Sequence, residues 1–278
     1  MGGMKPLLLL VILTGLLSSF RHKEMAWVAI GDSITYLNDH TDETQHRITK
    51  GYMTQVVEKL PYLRYVNQGH NGWTAGQIAQ QIDKLGIAPA DLYTVFLGTN
   101  DWWAGRPLGR LSDYQTNTGN GTVYGSFRLI VDKLRTLNPA APIVLITPMQ
   151  RVDFVYLFNY KNNAYGSYKP NKSGQTLEAF ANAIDSIGRY AQLPVVDLYH
   201  TRQLAIDKLV RFKRVKKPST GQYTNYPYPA FVDLPFNPAT DEYPYPPESM
   251  AMTYDGLHPS DKGYTVISRQ LIKLFKQY

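Results

Sequence analysis

The chain has 278 residues, 44% of them hydrophobic, and a formal net charge of +7. That length and apolar content suit a globular enzyme of one large domain or two small ones with a well-buried core. Cysteine is absent, which excludes disulfides, thiolate metal sites and cysteine nucleophiles together.

In chain order, Lys5 precedes an apolar run from Leu7 to Leu17, closed by the small residues Ser18 and Ser19. This pattern predicts a secretory signal peptide over 1–19, hence a secreted or periplasmic protein, and the run is short for a membrane span. An uncleaved anchor or a buried first strand is the competing reading. From Ala26 onward, short apolar runs alternate with helix-like stretches. Strands are predicted over 27–30, 63–67, 92–97, 143–147 and 195–198, and helices over 51–60, 74–84, 123–137 and 175–190. A last helix over 262–277, after Pro259 and Ser260, places Val266, Ile267, Gln270, Leu271 and Leu274 near one face. Five strands joined by crossover helices predict a three-layer α/β/α sandwich around a five-stranded parallel sheet. Pro139, Pro142 and Pro194 punctuate the approaches to strands.

Two stretches depart from the pattern. The basic run of Lys208, Arg211, Lys213, Arg214, Lys216 and Lys217 reads as a solvated helix end and loop, with an anionic glycan or a membrane surface as the alternative. No nucleic-acid motif accompanies it. Residues 218–250 are rich in proline, tyrosine and asparagine and have no periodicity. They predict a long irregular loop packed on the surface. Because that loop feeds into Asp255 and His258, it is expected to pass the mouth of the site.

In open parallel sheets the ligand site lies beyond the carboxyl ends of the strands. Ser33 follows the first predicted strand, Asn67 to Gly72 the second, and Gly98 to Asp101 the third, while Asp255 to Pro259 precede the last helix. Asp255 and His258 are close enough for a carboxylate to hold an imidazole whose other nitrogen faces a serine hydroxyl. A glycine N–H after the second strand, the Asn100 side chain and the Ser33 N–H make three donors for an oxyanion. Trp102 and Trp103 come next. They place two aromatics at the rim, one turned into the core and one able to face a sugar ring, an acyl chain or a lid. His22, His40, His46, His70 and His200 show no metal-ligand spacing, so each reads as a surface or structural residue.

The four blocks in this order resemble the SGNH hydrolase superfamily of GDSL-type esterases and lipases. They are Gly31-Asp32-Ser33-Ile34, Asn67-x-Gly69-x-x-Gly72, Gly98-Thr99-Asn100-Asp101 and Asp255-x-x-His258. The resemblance runs from about residue 26 to the end, and it implies a flavodoxin-like fold. It also implies a serine nucleophile at Ser33, a base at His258, its orienting carboxylate at Asp255 and oxyanion donors at Ser33, Gly69 and Asn100, with no metal or organic cofactor. The expected function is hydrolysis of short-chain, above all acetyl, esters on a carbohydrate, with no nucleic-acid partner and no stable membrane partner. A lipase or lysophospholipase-type acylhydrolase, or a non-catalytic glycan-binding protein on the same scaffold, is the alternative. A flavin-binding protein would need more Ser and Thr after the first strand than residues 32–35 supply.

Overall fold

The computed structural model describes residues 23–278, so the expected signal peptide and His22 lie outside the described residues. At the centre is β1 (Met25–Gly31), in which Trp27 and Ala29 enter one apolar core and Val28 and Ile30 the other. A strand buried on both faces needs no polar alternation, which is why it reads as a continuous apolar run. It pairs in parallel with β2 (Leu63–Gly69) on one side and β3 (Leu92–Phe96) on the other. Beyond β3 come β4 (Ile143–Ile146) and β7 (Val195–Val196), giving the parallel order β2-β1-β3-β4-β7. The expected sandwich is therefore observed. Strand order reverses between β1 and β3, and this opens a crevice at their carboxyl ends.

One layer contains α1 (Ser33–Tyr36), α2 (Tyr52–Lys59) and α8 (Asp261–Phe275), packed on Trp27, Ala29 and Phe96. The Trp27 ring meets Phe275 edge-on at 5.1 Å, and its Nε1 donates to Thr94 Oγ1 at 3.0 Å. The opposite layer contains α3 (Ala75–Gln81), α6 (Val123–Leu137) and α7 (Leu177–Ala191), over Val28, Ile30 and Val95. Two short helices, α4 (Thr99–Ala104) and α5 (Leu111–Gln115), lie between β3 and α6. Side-chain caps set the helix starts: Thr176 accepts from Ala179 N, so α7 begins at Leu177 rather than at 175, and Ser260 accepts from Gly263 N ahead of α8.

Two antiparallel hairpins are added to this frame. The first, β5 (Phe154–Tyr156) with β6 (Asn159–Ala164), falls where no strand was expected. The second, β8 (Lys213–Lys216) with β9 (Tyr223–Tyr226), corrects the reading of the basic run as a solvated helix end. On β8 Lys213 and Val215 are buried, Lys213 Nζ lies 2.5 Å from Asp153 Oδ2, and Lys216 pairs with Asp241 at 2.6 Å. Much of the positive charge is thus spent within the fold. Residues 218–250 supply β9 and then back the first hairpin, with the Tyr243 hydroxyl donating to Val155 O at 3.0 Å and the Tyr245 hydroxyl to Asp153 O at 2.5 Å. Among the described residues no helix is long and apolar enough to cross a membrane.

Candidate active site

The chain leaves β1 at Gly31 and turns into α1 at Asp32, whose carboxylate accepts the Ile34 N–H at 3.0 Å. This cap fixes Ser33 at the first helical position, at the strand-order reversal. From the other end of the sequence, the turn before α8 brings in His258. Its Nε2 lies 2.8 Å from Ser33 Oγ, and its Nδ1 lies 2.6 Å from Asp255 Oδ2. The second carboxylate oxygen of Asp255 accepts the N–H groups of Leu257 and His258 at 3.0 and 2.7 Å. Both oxygens are engaged, so the carboxylate cannot rotate away from the ring. A buried carboxylate at Nδ1 assigns the proton to that nitrogen and leaves the Nε2 lone pair facing the serine hydroxyl.

The two halves of this relay are tied together away from the chemistry. Tyr264 of α8 donates its hydroxyl to Ile34 O at 3.0 Å, linking the helix after His258 to the helix that begins with Ser33. The imidazole lies near-parallel to the Tyr254 ring, with centroids 5.8 Å apart, and meets Phe154 edge-on at 5.5 Å. Gly256 has φ +91°, and a Cβ there would lie 1.9 Å from Asp153 O, so only glycine lets the Asp255 turn pack this closely.

A cavity of about 530 Å³ opens over the serine. Its lining includes Ser33 and His258, Gly72 after β2, Asn100 of α4, Trp103, and Arg151 after β4. Asn100 Nδ2 donates one hydrogen to Trp73 O at 3.0 Å, which orients the amide and leaves its second hydrogen for a ligand. The arrangement can polarise a hydroxyl and stabilise an oxyanion beside it.

The GDSL-like Lipase/Acylhydrolase family model matches residues 29–214, more than half of the chain. The chain belongs to this family. A possible lipase from Chitinophaga pinensis DSM 2588, known by its crystal structure, is 63% identical, with a TM-score of 0.90 over 91% of this chain and 98% of that one. A protein from Lactobacillus plantarum is 22% identical, with a TM-score of 0.61 over 92% and 98% of the two chains. An acetyl xylan esterase is 15% identical, with a TM-score of 0.54 over 90% and 98%. The last two likenesses are of fold. No curated protein matches the chain.

Within this GDSL-like acylhydrolase several expected site residues take other places. Gly69 does not line the cavity: its N–H donates to Asn67 Oδ1 at 2.9 Å, and a Cβ there would lie 2.2 Å from Tyr36 N. It is glycine because β2 passes close to α1, and Gly72, three residues on, presents its backbone to the cavity instead. Trp102 is fully buried, donates Nε1 to Gln175 O at 2.9 Å and stays out of the cavity, while Trp103 lines it and is 37% exposed. No residue of 218–250 lines the cavity; the wall expected from that loop comes from Phe154, Tyr156 and Asn162 on the two strands of the first hairpin. Gly72 stood in the quoted glycine block without a role of its own, and Arg151 and this hairpin were absent from the sequence-based expectation, although Gly72 and Arg151 both follow strands of the parallel sheet, at whose carboxyl ends sites of this fold class gather. His70 stacks on Trp73 at 4.3 Å, and His200 is bound to Asp197 at 2.7 Å on the surface. Among the described residues no group of three or more His, Asp or Glu could hold a metal ion.

Asp101, next to Asn100, is fully buried and accepts the Ala75 N–H at 2.8 Å, joining α4 to the start of α3. Burial pushes its carboxyl up to about 6 from 3.8, only partly countered by the Ala75 N–H and by Arg106; Asp32 is raised similarly by its own burial. A raised acid is protonated in the folded chain before it is in the unfolded one, so stability from this group grows as pH falls from 7 through 6 toward 4. Asp101→Asn has no such gain. Between pH 7 and pH 4.5 the Tm of the wild type should rise relative to that variant by on the order of 5 °C. Parallel Tm curves for the two proteins would contradict the assignment.

Proposed function

We propose that the protein hydrolyses short acyl esters, acetyl above all, on a carbohydrate, through Ser33, His258 and Asp255. The observation that carries the reading is the pair of hydrogen bonds from Ser33 Oγ to His258 Nε2 at 2.8 Å and from His258 Nδ1 to Asp255 at 2.6 Å. His258 takes the Ser33 proton as Oγ attacks the ester carbonyl, and the imidazolium that forms is stabilised by Asp255. The tetrahedral oxyanion is held by the N–H groups of Ser33 and Gly72 and by the free amide hydrogen of Asn100. His258 then protonates the departing alcohol, and a water activated by the same ring releases the acid from Ser33.

The carbohydrate assignment is supported by the lining. Asn71, Asn162 and the Gln77 amide nitrogen offer polar groups in the same lining as the 37% exposed Trp103 ring, the pairing of an apolar face with polar edges that suits a sugar. The volume of about 530 Å³ has room for a sugar unit with a small acyl group.

An ester panel tests this reading. An aryl acetate should be turned over with a kcat/KM at least about tenfold above that of the matching octanoate, and an acetylated xylo-oligosaccharide should exceed the aryl acetate through added contacts. Preference for octanoate or longer chains would establish the lipase alternative, to which the possible lipase from Chitinophaga pinensis gives its weight.

A further inference from the structure

Among the described residues, Arg151 is the one arginine or lysine of the cavity lining, and the proposed reaction leaves it unused. It follows β4 at the carboxyl edge of the sheet and is 2% exposed, yet it contributes to the cavity lining. Aromatic rings surround its guanidinium, whose carbon lies 5.6 Å from the Trp102 ring, 5.5 Å from Trp103 and 6.0 Å from Phe154. Such contacts engage the faces of a cation and leave the N–H groups in its plane unbonded. Nε and Nη2 are both buried and have no hydrogen-bond partner among the described residues.

The acids close by are already committed. Asp255 accepts from Leu257 N and from both the backbone and the ring of His258. Asp153 accepts from Lys213, from the Gly166 N–H at 3.0 Å and from the Tyr168 hydroxyl. Their charges act on Arg151, but neither hydrogen-bonds to it. A buried cation with two unused donors is costly to maintain unless a ligand completes it. Nε and Nη2 share one edge of the planar guanidinium, the fork that a carboxylate fills with two parallel hydrogen bonds. Both nitrogens are buried, so a carboxylate reaches them only when the lining around Arg151 shifts; Trp103, 37% exposed and 5.5 Å from the guanidinium carbon, lines the same cavity. The one acid in the lining among the described residues, Glu43, accepts from the Tyr36 hydroxyl at 2.8 Å.

We propose that Arg151 is a specificity-determining residue that binds a carboxylate carried by the substrate, so that the preferred esters are anionic. The carboxylate could stand on the sugar, as in an acetylated uronic acid, or on the acyl group, as in the half-ester of a dicarboxylic acid. This rests on the esterase reading above and specifies its substrate class.

The test compares three esters of one methyl glycoside: the acetate of a glucoside, the acetate of a glucuronoside, and the monosuccinate of a glucoside. In the wild type one of the two anionic esters should exceed the neutral acetate in kcat/KM by at least about tenfold, and which one does so locates the carboxylate on the sugar or on the acyl side. In Arg151→Met that ratio should collapse toward one, and Arg151→Lys, which keeps the charge but loses the fork, should retain only part of it. A ratio near one in the wild type, or a ratio unchanged in both variants, overturns the proposal and leaves Arg151 a packing residue beneath Trp103. Calorimetric titration of Ser33→Ala protein with methyl glucuronoside, succinate and methyl glucoside reads the same site without turnover and without altering Arg151. Tighter binding of either carboxylate supports the proposal even if Arg151 variants fail to fold, and equal weakness for all three overturns it. If no ester is hydrolysed but the carboxylate still binds, the esterase reading fails and the anion site stands.

Discussion

Replacing Ser33 by alanine is expected to lower kcat by about five orders of magnitude on every ester, with the circular dichroism spectrum unchanged and Tm within a few degrees of wild type. The size of the loss follows from the relay acting as a unit. Without the hydroxyl, the His258 ring has no proton to take and the acyl group has no oxygen to bind. His258→Ala should cost nearly as much, and Ser33→Ala/His258→Ala little more than either single change. Asp255→Ala should cost less, about four orders of magnitude, because the ring remains as a base but loses the carboxylate that fixes its tautomer and orientation and stabilises its charged form. Steady-state kinetics on an aryl acetate measures all four proteins. Near-wild-type turnover in a folded Ser33→Ala protein would remove the mechanism.

The second large effect is expected at Asn100. Its amide is oriented by the bond to Trp73 O at 3.0 Å and lies in the cavity wall with Ser33, so Asn100→Ala removes a donor aimed at the developing oxyanion. Loss of one such donor lowers kcat by about a hundred- to a thousandfold. KM should change little, since the donor strengthens its bond as the carbonyl oxygen becomes an anion. A variant whose KM rises while kcat is kept would make Asn100 a ground-state binding residue.

The parts of this account that could be read from the sequence are those encoded locally. β1, β3 and β4 are short apolar runs because both faces of the sheet are covered, and Ser33 sits at the break after the first. Asp255 and His258 are three residues apart, a spacing that one turn brings into contact. Where tertiary packing decides, the sequence was ambiguous. Gly69 and Gly72 are equivalent as turn residues, and only the approach of Tyr36 to the first of them, 2.2 Å from a notional Cβ, separates the packing glycine from the cavity glycine. Trp102 and Trp103 are adjacent aromatics, sorted by which side of α4 faces Gln175 and the core. The β5–β6 hairpin has a polar second strand, Asn159–Ala164, and its first strand is held by Tyr243 and Tyr245, 88 and 92 residues from their partners Val155 and Asp153, so no local periodicity announces it. The same long-range packing took residues 218–250 behind that hairpin rather than to the mouth of the cavity.

The most direct measurement of the central claim is covalent labelling by a serine-directed fluorophosphonate, located by peptide mass spectrometry and followed against residual activity. A nucleophile activated by His258 predicts one phosphonate on Ser33, formed in step with loss of esterase activity, slowed by orders of magnitude in His258→Ala and absent in Ser33→Ala. Activity lost through a label on a different residue, or wild-type labelling of Ser33 in the His258→Ala protein, would contradict it.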